Sequence, residues 1–144
     1  MQVIYEQAAS KDDEKAVIRA VEKTDEIQAA INLLESGTGR IAVTKDEQTY
    51  MLNIGNIYYI ESVDKKTFIY TKDNCYETKY KLYELENLLN MNFLRCAKAM
   101  IVNIRKIKSV KSDINGRMNA GLLNDEAVVI ARSYVKDLKK RLGI

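Results

Sequence analysis

The stretch FLRCAKAMIVN, residues 93–103, decides the fold that this sequence predicts. Its second half, Met100–Asn103, is a short, mostly apolar run of the kind that forms a strand. Asn103 closes the run with a polar amide, which we expect to hydrogen-bond the backbone of a turn. Arg95 and Lys98 interrupt the first half. A mixed basic and apolar segment like this one either ends a strand or presents a cation to an anionic partner.

Runs with a period of two lie on both sides of this stretch, and they predict strands. Tyr and Ile crowd these runs, as a half-buried pleated surface favours. The links are polar and short enough for hairpins, and the dipeptides Asn115-Gly116 and Asn124-Asp125 tolerate positive φ. The predicted strands are Arg40–Thr44, Thr49–Asn53, Ile57–Glu61, Thr67–Thr71, Cys75–Lys79, Ile107–Val110, Met118–Leu123 and Ala127–Ala131. The fold class is therefore mainly β with short helices, of the α+β type.

Two helices are predicted within this β-rich body. In KLYELENLLN, residues 81–90, leucines recur at i, i+3 and i+4 and form a stripe that we expect to pack in the core. The basic segment Ser133–Leu142 forms the closing helix. Cations in its last turn complement the helix dipole, so half of this basic cluster requires no ligand.

The first residues predict a small β-β-α appendage. Gln2–Gln7 and Ala16–Glu22 alternate partly and are interpreted as strands. Thr24 then suits a helix N-cap, and Gly37 suits the position where that helix stops. The chain is thus divided into an appendage, residues 1–37, and a main domain, residues 38–144. We interpret the appendage as a dimerisation or regulatory element.

Composition argues against most enzyme classes. The chain of 144 residues is 47% hydrophobic and 30% charged, which suits one compact domain with a small appendage. It has no histidine, the commonest general base and zinc ligand, and no glycine-rich phosphate loop. Cys75 and Cys96 form no CxxC pair and are interpreted as reduced, half-buried residues. We therefore expect no enzyme, no cofactor and no metal.

The sequence shows no signal peptide and no apolar run long enough to cross a bilayer, so we expect a cytoplasmic protein. Charge is uneven along the chain. Residues 1–36 hold 4 basic and 8 acidic residues, a net of −4. The remainder holds 23 − 4 = 19 basic and 20 − 8 = 12 acidic residues, a net of +7. A basic body behind an acidic first segment suits a polyanionic partner.

Four motifs in order give a more specific prediction. NIYYIE, residues 56–61, is similar to a strand motif "dIlyIea", and LYELE, residues 82–86, is similar to a helix motif "L.eLe..L". FLRCAKAMIVN is similar to "F.RiHrS.iVN". VIARSY, residues 129–134, leads into a basic helix as "ipvSRrY...lk" does. From about Arg40 to Leu142 the chain therefore resembles the LytTR family of DNA-binding domains.

The resemblance implies elongated antiparallel β-sheets and a bacterial transcription regulator that inserts loops, not a helix, into successive major grooves of double-stranded DNA. Base contacts would come from the turn Asp64–Thr67, from Lys98 and from Arg132, while Ser133 and Lys136 would contact phosphates. The predicted DNA contacts are Lys65, Lys66, Thr67, Lys98, Arg132, Ser133 and Lys136. One such footprint is small, so we expect a homodimer on repeated half-sites about one helical turn apart.

The chain departs from the family pattern at one point. Ala97, Lys98 and Ala99 stand where the pattern has histidine, arginine and serine. A lysine keeps the charge but loses the planar fork that binds guanine through two hydrogen bonds. The 39 residues before Arg40 are also too few for the phosphoacceptor domain of a response regulator, so we expect a stand-alone member of the family.

Alternatives exist for individual residues. A cation at the start of a helix is disfavoured by the helix dipole, so Arg132 indicates either a ligand or a nearby carboxylate. Six tyrosines suggest base stacking, but their alternation within strands favours packing. They are Tyr58, Tyr59, Tyr70, Tyr76, Tyr80 and Tyr83.

Two other functions compete with DNA binding. A protein-interaction or ligand-sensing module could keep the same fold without binding DNA, and the loss of the motif histidine and serine favours it. Separately from these two functions, the acidic appendage could dock a regulatory protein partner. A small enzyme has no such support, because no nucleophile and base can be paired.

Overall fold

The computed structural model describes residues 1–35, 39–89 and 91–144 of the chain. Within residues 1–24 it has one 310 helix, Lys11–Asp13, and no strand, so the two strands predicted over Gln2–Gln7 and Ala16–Glu22 are wrong. Their apolar side chains have no neighbouring strand or sheet face to cover: Val3, Tyr5 and Val21 are all exposed. A segment in which polar and apolar residues alternate does not form a strand unless a neighbouring strand pairs with it.

Helix α1, Asp25–Glu35, follows this segment as predicted. The Thr24 hydroxyl accepts a hydrogen bond from the Ile27 amide at 3.3 Å, which confirms the N-cap. The predicted stop at Gly37 lies outside the described residues.

Seven antiparallel strands form the larger sheet, in the order β2-β1-β5-β4-β3-β7-β6. Most bounds agree with the predicted strands to within two residues, and β6 is an additional strand. The strands are β1 Arg40–Lys45, β2 Gln48–Asn53, β3 Tyr59–Val63, β4 Lys66–Tyr70, β5 Cys75–Thr78, β6 Phe93–Ala97 and β7 Met100–Asn103.

A smaller sheet in the order β10-β9-β8 packs nearby. Its strands are β8 Ile107–Ser112, β9 Met118–Leu122 and β10 Ala127–Ile130. The helices of the body are α2 Leu82–Leu88 and α3 Val135–Leu142, with 310 turns at Ile54–Asn56, Ile104–Lys106 and Arg132–Tyr134. The structure is mostly antiparallel sheet with short helices, as predicted.

Two hydrophobic cores lie on opposite faces of the β6–β7 hairpin. The first contains residues of the larger sheet and α2: Ile41, Val43, Ile57, Ile60, Ile69, Leu82, Leu85, Leu89, Phe93 and Ile101. The second combines residues of the smaller sheet and α3 with Tyr58 and residues of β6 and β7: Tyr58, Leu94, Cys96, Val102, Met118, Ala120, Leu122, Val128, Ile130 and Leu138. Successive residues of a strand face opposite ways, so one hairpin supplies both cores. Leu88, predicted to pack with the other leucines, is exposed.

The cysteines and tyrosines fulfil the packing predictions in part. Both cysteines are free, but Cys75 is exposed, while Cys96 is fully buried and its burial raises the pKa of the thiol to about 12. The rings of Tyr59 and Tyr70 stack at 4.4 Å between centroids, as cross-strand packing predicts. Burial, and then the carboxylate of Glu126, raises the pKa of the Tyr59 phenol. Tyr83 alone of the six predicted packing tyrosines is strongly exposed.

Candidate nucleic-acid interface

Two turns of the larger sheet lie side by side at one of its ends. The β3–β4 turn, Asp64 and Lys65, follows a strand that pairs with β7, with Glu61 opposite Met100. The Ser62 amide donates a hydrogen bond to the Ala99 carbonyl at 2.8 Å. The β6–β7 turn that carries Lys98 is therefore next to the β3–β4 turn.

Arg132 reaches the same end from the smaller sheet. The Ala131 amide donates to the Cys96 carbonyl at 2.8 Å, which fixes the residue before Arg132 to the last part of β6. Ser133 lies in the 310 turn after it, and Lys136 lies in the first turn of α3. We call this set of exposed side chains the basic end: Lys65, Lys66, Lys98, Arg132, Ser133 and Lys136.

The β3–β4 turn projects its side chains by an unusual backbone. Asp64 and Lys65 have φ of 51° and 66°, and Val63 pairs with Lys66 across the turn. Two consecutive left-handed residues make a two-residue hairpin whose twist matches that of the strands. Neither residue is glycine, so the turn keeps a lysine at its tip at some cost in backbone strain.

Thr67 is the one predicted DNA contact whose side chain is buried. Thr67 lies in β4, its side chain faces the interior of the protein, and the residue is only 3% exposed. Its strand neighbours are Ser62 on β3 and Thr78 on β5. Successive residues of a strand face opposite sides, so Thr67 points away from the face that carries exposed Lys66.

Arg95 organises the β6–β7 turn from within. Its Nε donates to the Ala97 carbonyl at 3.0 Å, and another guanidinium nitrogen donates to the Lys98 carbonyl. The guanidinium also forms an ion pair with Glu86 of α2. Arg95 therefore holds the backbone that presents Lys98, a role that the sequence indicated only by placing a cation in this motif.

Within residues 1–35, 39–89 and 91–144, no ion pair joins a cation of the basic end to a carboxylate. Among the residues that the structure describes, the ion pairs are Arg95–Glu86, Lys108–Asp125 and Arg117–Asp113. None of these pairs includes Arg132, so the alternative of a carboxylate partner is not observed within the described ranges. Lys81, which was not predicted, adds a further ammonium group 3.4 Å from the Lys65 carbonyl.

Asn103 behaves as predicted. Its side-chain amide donates to the Ile57 carbonyl at 2.8 Å, and its amide oxygen accepts from the Arg105 backbone at 3.0 Å. The residue is 3% exposed, and its two hydrogen bonds to the backbone fix a turn.

The sequence profile described as the LytTr DNA-binding domain matches residues 47–143, more than half of the chain. The chain belongs to the LytTR family.

The chain is also similar to named transcriptional regulators and to a solved LytTr structure. An uncharacterized HTH-type transcriptional regulator of Staphylococcus aureus, strain NCTC 8325 / PS 47, is 26% identical over 129 residues and covers 88% of each chain. Its counterpart in strain COL gives the same values. A structure described as the LytTr DNA-binding domain of a methyl-accepting/DNA response regulator from Bacillus cereus superimposes with a TM-score of 0.70 at 28% identity. It covers 75% of this chain and 100% of that chain.

The LytTR architecture differs from the helix-turn-helix that the staphylococcal names indicate. In the described parts of the chain, strands separate α1 from α2 and α2 from α3, so no two α-helices are consecutive. The described helices include none that is long and apolar enough to cross a membrane.

Proposed function

We propose that this LytTR protein is a sequence-specific, double-stranded-DNA-binding transcription regulator without enzymatic activity, acting in the bacterial cytoplasm. The observation that carries the proposal is the gathering of exposed cations, without described carboxylate partners, on turns at one end of the sheet. An end built of narrow turns enters a groove more readily than a flat sheet face does. Insertion of these turns into successive major grooves is the mode of binding that we propose.

The residues of the basic end would divide the work by their chemistry. Arg132 has a planar fork that suits guanine O6 and N7, a contact that contributes about 1–3 kcal/mol of discrimination. Lys65, Lys66 and Lys98 are point charges and would read the groove less sharply. Ser133 and Lys136, at the start of α3, would bind phosphate oxygens and set the register.

Paired binding follows from the size of the footprint. If one domain makes about 4–8 phosphate contacts, log K falls against log salt with a slope of about −4 to −7. Repeated half-sites about one helical turn apart, occupied by a homodimer, would raise affinity into the range that regulators need. Residues 1–37, where Val3, Tyr5 and Val21 are exposed, are our candidate for the dimer contact or for docking a regulatory protein.

The appendage can be tested by removing it. Both cores are built of residues from Ile41 onward, so a chain that starts at Gly39 retains them. We expect the shortened protein to lose dimerisation, measured by light scattering, or to lose regulation of a reporter gene. If both stay as in the full chain, the appendage has neither role.

The central experiment is selection of preferred duplexes from a random pool by the purified protein. We expect one enriched motif, and Arg132→Ala should remove the preference at one guanine of it. Anisotropy titrations of the selected duplex at two salt concentrations then give the slope. Full affinity of Arg132→Ala would remove that residue from the proposed site.

A second candidate, a ligand-sensing or protein-interaction module on the same fold, is favoured by one feature. A cavity of about 260 Å³ lies between α1 and the body, lined by Ala29, Ala30, Met91, Asn92, Ile104 and Arg141. Its volume is below the roughly 300–1,000 Å³ of typical small-molecule sites, so DNA binding remains our preferred function. Absence of any enriched motif in the selection would favour this alternative.

A further inference from the structure

The β8–β9 turn lies directly against the side chain of Arg132. This turn includes Asn115 and Gly116 and belongs to the smaller sheet, whereas Arg132 follows β10. Gly116 has φ of 81°, the left-handed conformation that a glycine adopts at least cost. The turn is not among the loops predicted to touch DNA, so its contact with Arg132 calls for an explanation.

The space above Gly116 is occupied by the stem of Arg132. A Cβ built on residue 116 would lie 3.1 Å from Cδ, 3.2 Å from Cγ and 3.4 Å from Nε of Arg132. Real Cβ contacts are seldom this short, so a side chain at 116 would require the arginine stem to shift by a few tenths of an ångström. Glycine therefore satisfies two separate requirements at this position, the backbone conformation and the room for the arginine stem.

The turn is held firmly enough to act as a support. Asp113 Oδ1 accepts hydrogen bonds from the Asn115 amide at 2.8 Å and the Arg117 amide at 3.2 Å. Asp113 Oδ2 lies 3.3 Å from Nε of Arg117. The negative charge of Asp113, in the turn next to Arg132, is therefore paired with Arg117.

We infer that Gly116 is a positioning residue that sets the direction of the Arg132 guanidinium. The inference rests on the proposed function, because it concerns how Arg132 reads a base. An arginine stem has several rotatable bonds, and two-point recognition of guanine requires the fork to be held in one plane. The backbone of Gly116, which carries no side chain, limits the movement of the Arg132 stem on one side and leaves Arg132 exposed to solvent.

The test uses two substitutions at Gly116 and one matched control. Gly116→Ala adds the Cβ and also strains the positive φ. Gly116→Asn adds the same Cβ, but asparagine tolerates this backbone better, so the variant stays folded more easily. Gly143→Ala is the control, because Gly143 has φ of 75° and nothing lies within 4 Å of its Cβ position. The control shares the backbone strain and lacks the contact with Arg132.

Each variant, the parent protein and Arg132→Ala are put through the same selection from a random duplex pool. We expect both Gly116 variants to lose preference at the guanine that Arg132→Ala also loses. Their affinity for the parent's best duplex should fall about 3- to 10-fold, part of the discrimination that one such contact provides. The salt slope should stay unchanged, because no phosphate contact is removed. Gly143→Ala should select the parent's motif.

A double substitution separates positioning from general damage. In the Arg132→Ala background, Gly116→Asn should cause no further loss of affinity, because the side chain it displaces is gone. An additive loss would show that Gly116 acts by another route and would overturn the inference. So would selection of the unchanged motif by Gly116→Asn.

The failure of this inference is distinguishable from that of the proposed function. If the parent protein enriches no motif, or Arg132→Ala keeps the full motif, then the proposed role of Arg132 is wrong and the role of Gly116 is lost with it. If Arg132→Ala loses the guanine and Gly116→Asn keeps it, only the positioning role is overturned.

Discussion

Two hairpin tips of the larger sheet have the same backbone and opposite chemistry. Asp46 and Glu47 between β1 and β2 have φ of 50° and 65°, close to the 51° and 66° of Asp64 and Lys65 between β3 and β4. The strands between β1 and β3 are all antiparallel neighbours, so these two strands run in opposite directions and their tips lie at opposite ends.

The comparison separates what folding requires from what a ligand requires. Both turns are two-residue hairpins that begin with aspartate, so strand twist determines their backbone. Glutamate follows in one and lysine in the other, and the fold tolerates either charge. Turn geometry does not require the lysine of the β3–β4 tip, which fits its proposed role in DNA binding, and four experiments test the basic end.

The largest effect is expected from exchanging the charges of the tips. Lys65→Glu with Lys66→Glu should weaken binding of the selected duplex by about two orders of magnitude and reduce the salt slope by about 2. The physical reason is the loss of two phosphate-attracting charges and the gain of two repelling ones. Anisotropy at two salt concentrations measures both quantities.

The matched control is Glu47→Lys, which makes the acidic tip basic. We expect it to change affinity by no more than about twofold, since that tip lies at the opposite end of the sheet from the basic end. Equal and opposite effects of the two exchanges would mean that net charge alone, not the basic end, determines binding.

The next effect separates stability from binding. Lys65→Gly and Glu47→Gly each relieve a positive φ, so each should raise the free energy of unfolding by about 0.5–1 kcal/mol in urea titrations. Only Lys65→Gly should also weaken DNA binding, by about 5- to 10-fold at low salt, because a phosphate or base contact is lost. A tip lysine retained for folding would give the reverse pattern, with loss of stability and full affinity.

A smaller effect is expected from the support beneath Lys98. Arg95→Ala removes two hydrogen bonds to the β6–β7 turn and the ion pair with Glu86, and should lower the free energy of unfolding by about 1–2 kcal/mol. DNA affinity should fall about threefold as the turn loosens, in line with the modest worth of one lysine contact.

Lys108→Ala provides the comparison for Arg95. Its ion pair with Asp125 is exposed, so we expect a change in stability within about 0.5 kcal/mol and unchanged binding. If Arg95→Ala behaves in the same way, the turn does not depend on the arginine.

The smallest effect on DNA binding is expected from labelling a cysteine at the end of the sheet that carries the acidic tip. Cys75 is exposed at the start of β5, near that end, and should react with a maleimide in the native protein. Cys96 should react only after unfolding, since burial raises the pKa of its thiol to about 12. Mass spectrometry locates the label. The labelled protein should bind DNA as the unlabelled one does, and any marked loss of affinity would place Cys75 near the interface.

Much of the fold was predictable from the sequence because its strands alternate regularly between polar hairpin links. The strands at residues 2–7 and 16–22 were predicted wrongly for a physical reason: alternation shows that a segment could be a strand, whereas pairing depends on a neighbour that the sequence does not reveal. The exposure of Leu88 has a similar origin, since the helix buries a narrower stripe than its leucines suggest.

The charged residues of the candidate site could be named from the sequence, but the contacts that hold them in place could not. Lys65, Lys98 and Arg132 could be located from motifs. The burial of Thr67 depends on which face of β4 meets the interior, and one residue of register decides it. The contact between Gly116 and Arg132 joins positions that are distant in the chain, and only the folded backbone brings them together.

The β6–β7 hairpin, shared by both cores, has a consequence for how the molecule denatures. Phe93 and Ile101 pack on one side of it, while Leu94, Cys96 and Val102 pack on the other. If the hairpin leaves one core, it also leaves the other, because both cores pack on the same two strands. Melting should therefore be a single cooperative transition. The amides that pair β6 with β7 should therefore exchange with solvent only through that cooperative transition.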